Sequence, residues 1–465
     1  MTARADSPAP STPEYIRAAA EFAARFSFGT TDPAIVGQSL TIVRDTIGCI
    51  IAGSGLPELR GLRLSAAALA GPGNASAVGV SDGVAPQAAA MINAMAGVSL
   101  ELDEGCQFSA NHPAVHILPA ALAVAEANTR TGAEFLAAFV AGYEVACWFG
   151  HRARLRDHVH PFGTHAIIGA ATAATKLSGA DANGIAAAIE LSAGMALASS
   201  QTAANAGASV RNAVTGLTAF NATLVPVLLK AGVTPEPNAV ATVFGKILGQ
   251  TFTPPTPSEQ IGRDPYLLKN YFKIHACSRW NHAPIEAAAA AMAARAFSPD
   301  DVLQATVWTF DPATRLSWTE PNNSFAAKHS IPFNVAIRLC KGSNDFETYC
   351  RRVVEDPVVR ELAARIEVRE DPAYTRVAPA IRPARVDVRL RDGTTVTGEC
   401  RSPLGGFDNP FGDGVLNSKF RRLAGLGLTA TDVDQLDRCV CELKTAASVV
   451  PIGRLLRAAT AVLPT

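Results

Sequence analysis

The 465-residue sequence has no excess charge of either sign, and this absence narrows the range of partners open to it. Lysine and arginine together number 41, aspartate and glutamate also number 41, and no block of like charge interrupts the chain. Nucleic acids and anionic membranes attract proteins with basic patches or basic stripes. The balance therefore predicts neither nucleic acid nor membrane as a partner.

The sequence also lacks the short motifs of zinc, redox and nucleotide sites. None of the nine cysteines is followed by another after a gap of two residues, and their odd number suits reduced thiols in a cytoplasmic protein. The glycine pairs near residues 53 and 71 are too short for a phosphate loop. The apolar stretches are interrupted before they reach about 20 residues, so we predict no transmembrane helix.

The patterning that is present predicts a mainly α fold with a smaller α+β domain. Hydrophobic residues make up 48% of the chain, which is long enough for two domains. Alanine-rich helical patterns fill the first half, and β-branched, alternating segments appear later, with one short strand predicted earlier at Ala75–Val80. The later strand-like segments are Val302–Phe310, Ala384–Leu390 and Thr394–Cys400, the last two joined by Asp392-Gly393. The predicted organisation is a disordered tail at 1–11, a helical domain at 12–270, an inserted lid at 271–402 and a helical segment at 403–465 that completes the first domain.

Six of the nine histidines lie within residues 112–165, and the segment 100–116 combines imidazoles with carboxylates in mostly apolar sequence. The residues concerned are Glu101, Asp103, Glu104, His112 and His116. Ionisable groups placed against apolar surface have shifted pKa values, which proton-transfer chemistry uses. The segment therefore predicts an enzyme that moves protons.

Plainer interpretations of the same segment stay open. His112 and His116 have the i,i+4 spacing of a metal-ligand pair, but no third ligand is evident and we predict no metal. His116 is explained as well by a core histidine bonded to a backbone carbonyl. The acids are explained as well by a solvated loop with one helix-capping carboxylate.

Three further patches place bases in apolar or loop sequence. They are His158–His165, which contains His160 and His165, the segment 272–282, which contains Lys273 and Arg279, and the isolated Arg211. Arginine holds a carboxylate bidentately, lysine acts as a point charge, and both reduce the cost of removing a proton next to a carboxylate. Solvated surface histidines and cations are the alternative. Taken together, the patches predict a pocket for a small di- or tricarboxylic acid.

In this order and at these intervals, the patches resemble the MmgE/PrpD family over nearly the whole chain. The matching stretches are Leu100-Glu-Leu-Asp-Glu-Gly with His112-Pro113, Gly142-Tyr-Glu-Val, His160-Pro-Phe-Gly-Thr-His165, Cys277-Ser-Arg-Trp-Asn-His282, Lys328-His-Ser-Ile-Pro-Phe333 and Pro403-Leu-Gly-Gly. That family includes 2-methylcitrate dehydratases, cis-aconitate decarboxylases and epimerases of imino-dicarboxylates. The resemblance implies a large helical domain built from both chain ends, an α+β lid, a homodimer, and catalysis without metal or organic cofactor.

The resemblance also assigns residues. We predict that Asp103, His112 and His160 are catalytic, and that the substrate is bound by Glu101, His165, Arg211, Lys273 and Arg279. Glu101 stands where the family has aspartate, Gly105 where many members have threonine, and Arg211 where the decarboxylases have lysine. An arginine stays charged, so Arg211 binds anions but does not donate a proton. These departures weaken the case for decarboxylation.

The predicted function is a cofactor-independent enzyme that abstracts an α-proton from a small polycarboxylate, most simply a hydro-lyase similar to 2-methylcitrate dehydratase. An epimerase of an imino-dicarboxylate and a decarboxylase of the cis-aconitate type stay open, because the same residues serve each reaction. From another class, a non-catalytic dicarboxylate-binding protein needs the cations but not the histidines. A metal-dependent hydrolase built on His112 and His116 is the third alternative.

Overall fold

The computed structural model describes residues 12–29, 31–69, 71–256 and 258–463. The tail predicted at 1–11 lies outside them. The first part of the chain is helical, with short two-stranded pairings between helices. Its helices are α1 (Glu14–Arg25), α2 (Pro33–Gly53), α3 (Pro57–Leu69), α4 (Pro86–Val98), α5 (Pro113–Ala127), α6 (Gly132–Gly150), α7 (Ala166–Leu177), α8 (Ala182–Gly194), α9 (Thr202–Asn205), α10 (Val210–Lys230) and α11 (Ala239–Thr242). Its strands are β1 (Pro72–Ala75), β2 (Gly105–Cys106), β3 (Ala153–Leu155), β4 (Gly249–Phe252) and β5 (Asn270–Tyr271).

Local sequence explains where these helices start and how closely they pack. Proline occupies the first turn of α2, α4 and α5, and Thr131 and Glu134 form a reciprocal capping box at the start of α6. Helices α6 and α7 approach so closely that a Cβ on Gly142 would lie 2.4 Å from the carbonyl oxygen of Gly169. Small residues thus bring into contact two helices whose ends adjoin histidines, His151 after α6 and His165 before α7.

The short strand predicted at Ala75–Val80 is wrong beyond its first residue, since β1 ends at Ala75. The backbone N–H of Ser76 donates to the Glu126 carboxylate at 2.8 Å, and that of Val78 donates to the Asn93 amide oxygen at 2.8 Å. Buried side chains therefore satisfy this backbone in place of a neighbouring strand.

The later part of the chain forms the α+β region. Its helices are α12 (His282–Ala294), α13 (Asp311–Thr314), α14 (Ser324–Ala327), α15 (Ile331–Lys341), α16 (Arg351–Val354), α17 (Pro357–Ala363) and α18 (Pro372–Val377). Its strands are β6 (Val302–Thr309), β7 (Ile366–Glu370), β8 (Ala384–Leu390) and β9 (Thr395–Cys400), in the order β7-β6-β8-β9. Strands β8 and β9 form the antiparallel hairpin that Asp392-Gly393 predicts, and Gly393 has a φ of +88° in its turn.

The chain then returns to the first domain through α19 (Val415–Ala424), α20 (Ala430–Cys441) and α21 (Val450–Ala458). One hydrophobic core joins residues from both chain ends, such as Ile16 and Leu456, and a second core lies around Phe333 and Val386. The predicted fold class, mainly α with a smaller α+β domain, is confirmed. The exact domain boundaries stay predictions.

Within the described part of the chain, three helices, α2, α6 and α10, are long and apolar enough to cross a membrane by length and composition alone. In α6, 89% of the apolar window is buried inside the protein, whereas in α10 the share is 50%. The exposed half of α10 carries Val210, Leu217 and Val227, which are 55%, 42% and 54% exposed. This helix therefore presents an apolar face outward.

Candidate active site

A cavity of about 350 Å³ lies between the two hydrophobic cores and receives side chains from both. Six of the eight predicted site residues line it: Glu101, His112, His160, His165, Arg211 and Arg279. The other two, Asp103 and Lys273, lie directly behind this wall and contact its residues. Residues more than 170 positions apart in sequence thus meet at one site.

Asp103 and His112 form a buried acid–imidazole pair. The Nδ1 atom of His112 lies 2.6 Å from a carboxylate oxygen of Asp103, which is 1% exposed. Burial raises the pKa of Asp103, but the positive charge of Lys273 and the contact with His112 outweigh burial and lower it. Because an ionised carboxylate only accepts, Nδ1 carries the proton and Nε2 of His112 is left as a base.

Tyr271 lies on the open side of that base, and sequence reasoning missed it. Its hydroxyl oxygen is 3.2 Å from Nε2 of His112, and the two rings meet edge to face. Burial lowers the pKa of His112, although the charge of Asp103 opposes the shift. The imidazole is therefore neutral near neutral pH, and the hydroxyl of Tyr271 donates a hydrogen bond to Nε2.

His160 has the opposite tautomer. The backbone N–H of Phe162 donates to Nδ1 of His160 at 3.2 Å, so in the neutral ring the proton is on Nε2. Burial and the nearby charge of Arg211 lower the pKa of His160 well below its usual value. His112 thus offers a base to the cavity, while His160 offers a hydrogen-bond donor.

Glu101 is the centre of a buried charge cluster. It forms an ion pair with Arg211, and its other oxygen lies 3.7 Å from Nζ of Lys273 and 3.8 Å from Nε2 of His329. Burial raises the pKa of Glu101, but the charges of Arg211 and Lys273 outweigh burial and hold it at about 2. The backbone of Glu101 has a φ of +59°, a strained value that is rare outside glycine and concentrates at functional sites.

Two predicted substrate ligands are already bonded to the protein. Arg279 donates to the backbone oxygens of Pro403 and Leu404, both at 2.8 Å. Both ring nitrogens of His165 lie within 3.3 Å of a protein partner, Asn111 on one side and Thr164 on the other. Their direct contact with a substrate stays a prediction, and the bonds show that both hold neighbouring loops in place.

Arg382, which sequence reasoning also missed, reaches the cavity from the lid. It is 8% exposed, and its Nε atom has no hydrogen-bond partner among the described residues. Its segment, Ala378–Pro383, contains no motif that sets it apart in the sequence. With Arg382 included, the charged residues lining the cavity are six arginines and two acids: Arg154, Arg156, Arg211, Arg279, Arg315, Arg382, Glu101 and Asp157.

His116 and Glu104 have structural positions. Nδ1 of His116 lies 2.8 Å from the backbone oxygen of His112, as the core interpretation predicts. Glu104 accepts the first backbone N–H of α5, that of Ala114, at 2.8 Å, so it caps the helix, although it is buried and not solvated. Burial raises the pKa of Glu104 to about 8.

A possible metal-ligand group among the described residues lies elsewhere, at His275, His282 and Glu286. Nη1 of Arg279 lies 3.2 Å from Nδ1 of His282 and can only donate to it, so Nε2 of that ring carries its proton. A guanidinium at this distance also repels a cation. We therefore assign no metal to this group.

The fold and the site together are those of a two-domain family with a polar cavity between its domains. The chain belongs to the MmgE/PrpD family: the MmgE/PrpD N-terminal domain matches residues 17–259, and the MmgE/PrpD C-terminal domain matches residues 275–443.

Individual relatives are distant in sequence but similar in length. The chain is 23% identical over 401 residues to cis-aconitate decarboxylase of Mus musculus, covering 80% of this chain and 78% of that protein. It is 25% identical over 399 residues to the Homo sapiens enzyme, covering 80% and 79%. It is 22% identical over 456 residues to cis-aconitate decarboxylase of Aspergillus terreus, covering 91% of each chain.

Proposed function

We propose that this chain is a lyase that removes the proton α to a carboxylate of a small di- or tricarboxylic acid and expels a β-hydroxyl group as water. A dehydratase similar to 2-methylcitrate dehydratase is the form we favour. Every acid and base in the proposed reaction is a side chain of this protein. Its support comes from the base His112, the positive charge of the cavity and the hydrogen-bond donor His160.

The observation that carries the proposal is the close pairing of His112 with Asp103, which sets the tautomer of the imidazole. Its Nδ1 proton is committed to Asp103 at 2.6 Å, so Nε2, which accepts a hydrogen bond from Tyr271 in the resting enzyme, is the unprotonated nitrogen on the side of the cavity. Its lowered pKa keeps the electron pair of Nε2 available at neutral pH. Elimination that starts by α-proton removal needs such a base in the resting enzyme.

The charge of the cavity supports a polycarboxylate. Six arginines and two acids line it, which leaves an excess of four positive charges. Glu101 neutralises Arg211, so the cations that remain for a substrate are on other segments. We assign Arg382 as an anchor, because it lines the cavity and its buried Nε has no hydrogen-bond partner among the described residues. Guanidinium groups also stabilise the negative charge that develops on a carboxylate as its α-proton leaves.

His160 completes the arrangement as a donor. Its Nε2 proton is available for a substrate oxygen, since its Nδ1 is held by the backbone of Phe162. A neutral imidazole polarises an oxygen without giving up its proton, so we assign His160 to substrate polarisation and not to proton transfer.

Decarboxylation of the cis-aconitate type is the second candidate, and the names of the relatives favour it. Loss of carbon dioxide leaves a carbanion that must receive a proton. The resemblance places a lysine at position 211 in the decarboxylases, whereas Arg211 does not donate a proton, and this departure argues for α-proton removal instead.

The test is a panel of β-hydroxy tricarboxylates and of their unsaturated products, followed by proton NMR in heavy water. Dehydration predicts alkene and water, with α-deuterium entering the substrate. Release of carbon dioxide without water would favour the second candidate. Binding with neither turnover nor deuterium uptake would point to a dicarboxylate-binding protein. His112→Gln should abolish deuterium uptake, whereas His151→Gln, outside the cavity, should not.

The homodimer expected from the family also belongs to this proposal. On α10, apolar side chains at 210, 213, 217, 220, 224 and 227 recur every three or four residues, and each is exposed or half-exposed. This is the spacing by which one helix packs along another. A second copy of the chain presents the same uncharged stripe, so two α10 helices are self-complementary.

A further inference from the structure

Tyr271 is placed by a glycine on the neighbouring strand. Strands β2 and β5 pair antiparallel, with Gly105 directly opposite Tyr271. A Cβ at position 105 would lie 2.4 Å from the phenolic oxygen and 2.6 Å from Cζ. Any side chain at 105 would therefore displace the phenol, and glycine allows it to lie flat against the strand.

In this position the phenol faces the base. Its oxygen is 3.2 Å from Nε2 of His112, and both residues line the cavity. Nδ1 of His112 already carries the proton shared with Asp103, so Nε2 accepts and Tyr271 donates in the resting enzyme. Nε2 has a single electron pair, so the phenol must turn its O–H away before Nε2 takes a proton from a substrate, and the phenolic proton is then free for another acceptor.

Positive charges surround the same ring. The guanidinium carbon of Arg279 lies 4.9 Å from the ring centroid. Burial raises the pKa of Tyr271, and the charges of Lys273, Arg382 and Arg279 oppose that rise. Cations placed in this way stabilise the negative charge that a phenol develops while it gives up its proton.

We propose that Tyr271 is the catalytic acid that protonates the leaving hydroxyl group, an inference that rests on the dehydration proposed above. The acid and the base of the elimination are then a hydrogen-bonded pair, aligned by the absence of a side chain at Gly105.

The protons and electrons balance without a further reactant. Nε2 of His112 takes the α-proton, and the electron pair of that C–H bond forms the double bond. The β C–O bond breaks, and its oxygen leaves with the phenolic proton of Tyr271 as water. The phenolic oxygen takes the new proton from Nε2, which restores both side chains.

The test is Tyr271→Phe, which keeps the ring and removes the hydroxyl. General acids contribute about 10²- to 10⁴-fold to a rate, so we expect kcat for dehydration to fall by about that factor with little change in KM. Uptake of α-deuterium should persist, because His112 is intact. The matched control is Tyr266→Phe, since Tyr266 also bonds a histidine, His151, at 2.7 Å but lies outside the cavity. It should behave as the wild type.

The outcomes separate the two proposals. Wild-type turnover with an unimpaired Tyr271→Phe variant would overturn the acid assignment alone. Loss of deuterium uptake together with dehydration would also overturn it, because the phenol would then serve only to hold His112. Absence of wild-type dehydration would refute the proposed function itself. If Tyr271→Phe does not fold, Gly105→Ala provides the same test, because the added Cβ displaces the phenolic hydroxyl without removing it. Dehydration should again fall while uptake of α-deuterium persists.

Discussion

Replacing Asp103 by asparagine tests the proposed base most directly. One oxygen of Asp103 lies 2.6 Å from Nδ1 of His112, and the other lies 3.5 Å from Nζ of Lys273. Asparagine has one oxygen for these two donors. Because Lys273 cannot accept a hydrogen bond, that oxygen turns to the lysine and the amide NH₂ faces Nδ1. The proton of His112 then moves to Nε2, and the base is lost.

The size of the effect follows from this change of tautomer. In serine proteases, the corresponding Asp→Asn change lowers kcat by about 10⁴-fold, or about 5.4 kcal/mol of transition-state stabilisation. We expect a loss of about 10³- to 10⁴-fold here, since Asp103 is 1% exposed and lies 2.6 Å from Nδ1 of His112.

The pH dependence gives a second, independent sign. The active form has neutral His112, so kcat/KM rises with pH through the pKa of His112 and then levels off. The negative charge of Asp103 holds that pKa up against burial, so removing it lowers the pKa further. The variant should therefore have a lower plateau whose acid limb lies at lower pH than in the wild type.

The assay is kcat/KM as a function of pH, with a thermal melt to correct for instability, since breaking a buried ion pair costs about 3–5 kcal/mol. Asp387→Asn is the control, because Asp387 bonds Trp308 at 2.8 Å and Thr397 at 2.9 Å on the lid sheet, away from the cavity. A folded Asp103→Asn protein with near wild-type activity, or with its acid limb moved to higher pH, would refute the reasoning.

Three further changes test other parts of the proposal. Arg382→Gln should raise KM about 10- to 100-fold with a smaller effect on kcat, since a charged hydrogen bond contributes about 1.5–3 kcal/mol. Steady-state kinetics measures both constants, with Arg369→Gln on the lid surface as the control. Leu217→Glu should convert a dimer to a monomer in light scattering, whereas Leu64→Glu, at an 82% exposed site on α3, should not; a dimer that survives Leu217→Glu would exclude α10 as the interface. His160→Leu should lower kcat more than His160→Gln, which retains a donor; equal rates would remove His160 from catalysis.

The fold was largely predictable because its signals are local. Prolines and capping residues mark helix starts such as Pro33 and Thr131, and Asp392-Gly393 marks the hairpin between β8 and β9. The strand predicted beyond Ala75 is wrong because its backbone N–H groups donate to the side chains of Asn93 and Glu126, which are distant in sequence. No local pattern reports such bonds.

The site was predictable where its residues form dense local patches, as Asp103, His112 and His160 do. The assignment of base and donor was not, because a tautomer depends on the partner of the other ring nitrogen. Tyr271 and Arg382 were missed for a related reason. Each acquires its importance from a contact with a segment distant in sequence, the loop that carries Gly105 and Gln107.

The pairing of Glu101 with Arg211 bears on which residues supply protons in the proposed reaction. The resemblance places aspartate and lysine at these positions in related decarboxylases, and here each partner is longer while the sum of charges is unchanged. A lysine at 211 can give up a proton, whereas the arginine, which forms an ion pair with Glu101 here, serves only to bind anions. A proton donor must then come from a group with a removable proton, and in the cavity wall Tyr271 lies beside the base that would return it. Adding Arg211→Lys to Tyr271→Phe should therefore restore part of the kcat that the single variant loses. Kinetics of the double variant that show no recovery would mean that position 211 has no part in proton transfer.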